Sequence, residues 1–365
     1  ILSLSLSIIF EENNDILNYT DEVLCIGLMY ALKNPNCEWR DHVDTMPKSY
    51  DLTFNWKPNE IEFLRGSMLF HLTGMMLRQI QSDWSNLHFP ISQNYPELLP
   101  NITIEDYKWA LSTVYSRAIG FTRQGQYIRC IVPLIDMANH HPVAYHPTIE
   151  TFGFSEIDDN ILFISTKEYQ PNEECYACYG NYSNSKLLYT YGFTLSSTEN
   201  CPRAIDMWSS LSPNIPYYKE KNQVLQSNEL TKQQTYDFTG TLRNNGWISR
   251  ALITTIRVIQ TSIEEFPHIM KAYQKNQIIS IRNERASYIS LLELLDAKLK
   301  QLNERLRSEE AFHIDESNQS RRRWNMVQQV LHEDQITIQE CFERVNKWIL
   351  EIDELGELFK PHDSE

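Results

Sequence analysis

At 365 residues, 42% hydrophobic and 22% charged, the chain is long enough to bury a large core and to form about two domains. Its formal net charge of -15 argues against a general role on nucleic-acid phosphates, which are held by Lys and Arg, and leaves a basic protein as the easier partner. Seven scattered cysteines point to a reducing compartment, and no apolar run approaches the ~20 residues of a membrane helix.

Residues 1–10 alternate Leu and Ser as a half-buried strand does, without the basic leader of a signal peptide. A helix is predicted over residues 19–33 from the spacing of Val23, Ile26, Leu28, Met29 and Leu32, opened by Asp15 or Thr20-Asp21 and stopped at Asn34-Pro35. A second helical stretch covers residues 59–87, and a third covers residues 109–118. From Tyr127 the period shortens, so residues 128–135, 151–154 and 161–165 read as strands, with Asp158-Asp159-Asn160 as the hairpin turn between the last two. A further strand, residues 173–179, follows Pro171-Asn172. Cys175 and Cys178 would face opposite sides of it, which argues against a shared metal or a bridge. His140, His141 and His146 have no acidic or thiol partner at a recognised zinc spacing, so no metal is expected.

Beyond Cys201-Pro202 the pattern is almost wholly helical. Ser262-Ile263-Glu264-Glu265 has the spacing of a capping box. Ile289, Leu292, Leu295, Leu299, Leu302 and Leu306 form an apolar stripe along one long helix, read as bundle core. Arg321-Arg322-Arg323 reads as a solvated helix start.

Three ordered pieces stand out: Asp136-Met137-Ala138-Asn139-His140, then Tyr179-Gly180-Asn181-Tyr182-Ser183-Asn184, then Tyr191-Gly192-Phe193, with Ser116-Arg117-Ala118 upstream. Together they resemble the core of SET-domain protein methyltransferases, in the class that includes the plastid Rubisco large-subunit lysine methyltransferase and the actin-histidine methyltransferase. The resemblance implies an α+β fold: a SET β-fold of short strands with a helical insert, followed by an all-helical C-terminal lobe. It places the SET domain over residues 1–205, its insert over about 16–126, and a substrate-binding lobe over 206–365. The stretches 33–39, 43–47 and 64–67 look like parts of the insert. The class normally begins with a Gly-x-Gly strand and turn; this sequence opens at Ile1 without one, which leads us to expect a missing amino-terminal segment.

By the same resemblance the cofactor is S-adenosyl-L-methionine and the partner is a protein substrate, with no direct nucleic acid and no membrane. Tyr179 is implied as the catalytic residue. Ser116, Arg117, Asp136, Asn139, His140 and Phe193 are implied around the cofactor, Arg117 against its carboxylate, and Tyr191 along the target channel. The zinc-binding cysteine cluster of many histone-directed relatives is not visible. Methyl transfer needs little acid-base machinery, because the sulfonium is already a good leaving group; the protein supplies alignment in a dry channel. Lysine is the expected target and histidine an alternative, and a non-catalytic SET-like scaffold is the alternative to an enzyme. The implied location is cytoplasmic and/or nuclear.

Overall fold

The computed structural model describes residues 20–94, 96, 101–123, 126–144, 152–155, 160–165, 167–196, 203–210, 212–226, 237–269, 278–307 and 318–358. The expected opening strand, the Asp158-Asp159 turn, His146 and Cys201-Pro202 lie outside them. The chain divides into two compact units, one within residues 1–62 and 71–200, the other within 63–70 and 201–365.

The first unit is built on the packing of two helices, Thr20–Lys33 and Ile104–Arg117. The first carries Asp21 and Glu22 in its opening turn and Lys33 in its last, charges that complement the helix dipole. The second starts five residues before the predicted Trp109. Thr103 caps it, accepting from the Asp106 amide at 3.2 Å while the Asp106 carboxylate accepts from the Thr103 amide at 2.8 Å. Cys25, Ile26, Met29, Leu52, Phe54, Ile80, Tyr107, Ala110 and Val114 share one apolar core. Burying residues of this size removes enough apolar surface from water to contribute about 1.5–3 kcal/mol for each large side chain.

The helix predicted over 59–87 is instead broken into Pro58–Ile61, a 3-10 turn Glu62–Leu64 and the long Met68–Asn94. The break falls at Gly66, whose φ of 96° is open to glycine and poor for other residues. Pro90 does not end the long helix, which runs four residues past it.

The strands of this unit are short. β1 (Ile119–Arg123) and β2 (Gln126–Cys130) form an antiparallel hairpin, as do β4 (Phe152–Ser155) and β5 (Asn160–Phe163). β1 was not predicted, and the strand expected to reach residue 135 stops at Cys130. There the backbone turns at Leu134, with φ of 72°, into a 3-10 turn at Ile135–Met137. The key pairing is β3 (Asn139–His140) beside β6 (Tyr176–Ala177), a parallel bridge that brings two of the sequence motifs together. β6 is only two residues long, because the left-handed Asn172 (φ 69°) and the turn around it take up the start of the predicted strand.

The second unit is mainly helical, and it also holds an antiparallel sheet that helical periodicity did not predict. β7 (Ala204–Ser210) pairs with β8 (Asp237–Arg243), and β8 with β9 (Trp247–Ile248). Helix Arg250–Ile259 follows, capped by the Ser249 hydroxyl. Helices Ile281–Arg307 and Asn318–Leu358 then pack along one another. The Ser262–Glu265 capping box forms only in part, the Ser262 amide donating to Glu265 at 3.0 Å, and a 3-10 turn at Phe266–His268 follows rather than an α-helix. Along Ile281–Arg307 the buried line is Glu284, Ser287, Leu291, Leu295, Leu302 and Arg305; Ile289, Leu292, Leu299 and Leu306 of the predicted stripe are half-buried at its edge. Of the arginine triplet, Arg321 and Arg322 are exposed and Arg323 is buried.

Candidate active site

A cavity of about 640 Å³ opens in the first unit, between the end of helix Ile104–Arg117, the start of β1 and helix Asn184–Tyr191. Four of the predicted residues other than the catalytic tyrosine line it: Ser116, Arg117, Asp136 and Tyr191. Tyr179 lines it too. Asn139, His140 and Phe193 do not. His140 and Phe193 stack behind Tyr179, with ring centroids 5.1 Å (His140 to Tyr179) and 6.1 Å (His140 to Phe193) apart. Asn139 is exposed, and its side-chain amide donates to Glu174 at 2.7 Å.

The two Tyr-Gly motifs make this geometry. Gly180 has φ of 144°, and a Cβ there would sit 2.5 Å from the Tyr182 ring. Gly192 ends helix Asn184–Tyr191 in the left-handed conformation, φ 80°, and a Cβ there would meet the Asp51 carbonyl carbon at 2.8 Å. Ser183 caps the start of that helix. Asn184, fully buried, clamps the chain beyond its end through two 2.8 Å bonds to the Leu195 backbone. Tyr191 is thereby fixed with its ring 4.8 Å from that of Tyr179.

The Tyr179 hydroxyl donates to the Ala138 carbonyl at 2.7 Å. Burial pushes this phenol up to about 12, against a smaller pull downward from Arg117. At neutral pH it is a protonated phenol whose hydrogen is committed, so it offers the cavity a lone pair.

Burial also pushes His140 down to about 4; its Nδ1 accepts the Tyr179 amide at 3.1 Å, which puts the proton of the neutral ring on Nε2. The folded state then binds fewer protons than the unfolded chain, whose imidazole titrates near the ordinary ~6.5. The stability this contributes is complete above about pH 6.5 and is lost as pH falls through about 4, a change of about 3 kcal/mol at most. Urea unfolding midpoints of the parent chain should fall across this window more steeply than those of His140→Asn. Parallel profiles would contradict the assignment.

Arg117 donates through Nη1 to the Asp136 carbonyl at 2.8 Å, and the same nitrogen lies 3.6 Å from the Asp136 carboxylate. Its Nε is buried and has no acceptor. Asp136 is itself buried, and burial raises its carboxyl above the ordinary value while His42 and Arg117 draw it down. A planar guanidinium lining a cavity suits a ligand carboxylate.

Sequence reasoning did not find Asp21 and Arg129, which line the opposite wall as an ion pair at 2.5 Å, nor the lining phenols Tyr115 and Tyr189. Burial raises both phenols, Tyr115 to about 12, and so keeps them neutral. The alternation of apolar and polar side chains around Arg129 was a signal for its strand, not for its role. Cys175 is exposed and Cys178 half-buried, each a free thiol. Among the described residues no three His, Cys, Asp or Glu side chains gather in a group that could hold a metal, and no helix is long and apolar enough to cross a membrane.

Residues 212–336 match the family described as Rubisco LSMT substrate-binding. A solved structure, the SET domain of LSMT bound to methyllysine and AdoHcy, superposes with a TM-score of 0.72 at 18% identity, covering 95% of this chain and 79% of that one. Rubisco LSMT bound to AdoMet gives 0.71 at 19%, covering 98% and 82%. The fold is that of the Rubisco LSMT class of SET domains. In sequence, the chain is similar to the actin-histidine N-methyltransferase of Gallus gallus, 25% identical over 209 residues, 55% of this chain and 34% of the chicken protein. The Mus musculus protein of that name is 23% identical over 268 residues, 71% of this chain and 43% of its own. The chain thus spans well under half the length of these curated relatives. In this chain the β3–β6 bridge is the joint that seats His140 behind Tyr179.

Proposed function

We propose that the chain is an S-adenosylmethionine-dependent protein methyltransferase that methylates a side-chain nitrogen. The observation that carries this reading is the cavity in which Tyr179, Tyr191 and Arg117 converge, with a neutral phenol and a guanidinium among its lining groups. When bound, the cofactor supplies an activated methyl on a sulfonium. Arg117, held by the Asp136 carbonyl, is the group to hold its carboxylate. Tyr179 offers its lone pair to the reacting centre, where charge shifts as the nitrogen attacks. Tyr191 and Tyr179 wall the channel and keep water from it.

Of the two target nitrogens, imidazole is the better served. The carboxylates on the cavity wall each face an arginine, Asp21 paired with Arg129 and the buried Asp136 beside Arg117, and a carboxylate held next to a cation is a poor base for the proton of a lysine ammonium of ordinary pKa ~10.4. Imidazole needs no such step near neutral pH. The named relatives that methylate actin histidine support this choice. Lysine is the second reading, supported by the likeness in fold to LSMT bound to lysine and to methyllysine.

The direct test is calorimetric titration of the chain with S-adenosylmethionine, beside Arg117→Met. Binding in the parent, weakened at least about tenfold by losing the guanidinium, is the expected result. Transfer of labelled methyl to actin, followed by hydrolysis to amino acids, then reports methylhistidine or methyllysine. A parent chain that binds no S-adenosylmethionine would favour the non-catalytic scaffold.

A further inference from the structure

His42 lies on the short helix Arg40–Thr45, outside every motif that marks the site, yet its Nε2 comes within 3.4 Å of Asp136 Oδ2. The Asp136 side chain is 1% exposed. The same carboxylate oxygen is 3.6 Å from Arg117 Nη1, so a single acceptor stands between an imidazole and a guanidinium, and both contacts are longer than the ~2.7–3.2 Å of a well-formed hydrogen bond. The loose ends gather here: His42 Nε2, both Asp136 carboxylate oxygens and Arg117 Nε are all buried without a hydrogen-bond partner. Groups of this kind are costly to bury unsatisfied, and four within one cluster mark an arrangement that tightens when one more charge arrives.

We propose that His42 is a positioning residue that acts through Asp136 on Arg117 and makes capture of the cofactor carboxylate pH-dependent. The proposal rests on the reading of Arg117 given above. With His42 protonated, the imidazolium takes up Asp136, the cluster carries a net positive charge, and the Arg117 fork is released toward an incoming carboxylate. With His42 neutral, Asp136 is balanced by Arg117 alone, and the pair is electrically neutral toward that ligand. Binding of the carboxylate and protonation of His42 therefore favour one another, and by linkage each strengthens the other by the same factor.

The other titratable groups packed around His42 do not change charge near neutrality. Tyr50, a neighbour of Arg117, has its phenol raised by burial, and it accepts from Thr113 at 3.0 Å. Cys130, which shares an apolar pocket with His42, has its thiol raised by burial. On His42's own helix, Asp44 is paired with Arg40 at 2.8 Å.

The experiment is calorimetric titration with S-adenosylmethionine from pH 5.5 to 8 in the parent, His42→Gln and Asp136→Asn, with melting temperatures taken at each pH. In the parent, affinity should weaken roughly tenfold as pH rises, the size of one buried charge acting at close range. In His42→Gln affinity should sit at the weak end with no such slope, and the ligand's own ionisation cancels in the ratio to the parent. Asp136→Asn should lose the slope as well, because nothing then holds a proton on His42 beside Arg117; it serves as the second reading should His42→Gln fail to fold. A purely structural His42 would shift affinity by one factor at every pH. That result, or a parent without a slope, overturns the proposal. A parent that binds no S-adenosylmethionine at any pH overturns the Arg117 reading itself, an outcome distinct from binding without a slope.

Discussion

Replacing Tyr179 with Phe should reduce methyl transfer about a hundredfold while leaving S-adenosylmethionine affinity within about threefold of the parent. The expected split follows from what the substitution removes. The ring stays, and with it the stacking on Tyr191 at 4.8 Å and on His140 at 5.1 Å, so the cavity wall keeps its shape. Lost are the 2.7 Å bond to the Ala138 carbonyl and the lone pair that this bond aims. A polar group that meets charge only as the reaction proceeds acts on turnover rather than on binding, and removing one preorganised contact of this kind typically costs 10²- to 10³-fold. Single-turnover transfer from labelled S-adenosylmethionine, with calorimetry on the same preparation, checks both halves. An unchanged rate would remove Tyr179 from the chemistry, and an equal loss in affinity would make it a cofactor-binding residue.

How far this site was legible in the sequence depended on how locally its parts are encoded. Gly180 and Gly192 sit where positive φ and a close approach leave no room for a Cβ, and each places the tyrosine before it; such constraints write themselves into short motifs. Arg117 and Asp136 were likewise within motifs. His42, Asp21 and Arg129 were not, because they reach the site only through folding, and a lone His or Arg in a helix or strand carries no mark of what it will face. The sheet of the second unit was missed for a related reason. Ile205 and Met207 do alternate toward the core, but the run is short, and its partner strand begins more than thirty residues later, beyond the reach of local periodicity. Of the stripe on helix Ile281–Arg307, Leu295 and Leu302 do lie in the buried line, but apolar spacing cannot register the Glu284, Ser287 and Arg305 that share it.

That polar line leads to the largest stability effect expected in the second unit. Arg257, on helix Arg250–Ile259, donates through Nε to Glu284 at 2.7 Å and also pairs with it through Nη2. Tyr288 donates its hydroxyl to the same carboxylate at 2.6 Å, and Asn283 and Thr261 donate to the Arg257 carbonyl at 3.0 and 2.9 Å. Glu284 is 1% exposed, so its charge is tolerated only because this fork satisfies it. Arg257→Leu should therefore destabilise the chain by about 3–5 kcal/mol, far more than the loss of an exposed pair, because a buried carboxylate is left without its cation. Adding Glu284→Gln should recover part of that loss by removing the charge itself. The pH dependence supplies a signed check. In Arg257→Leu the stranded carboxylate is relieved by taking up a proton, so the folded state binds more protons than the unfolded one, and the deficit shrinks as pH falls. Urea unfolding of the parent, both single variants and the double variant at pH 7.5 and 5.5 measures this directly. A deficit that is the same at both pH values, or one that Glu284→Gln does not reduce, would mean that the fork acts by packing rather than by charge.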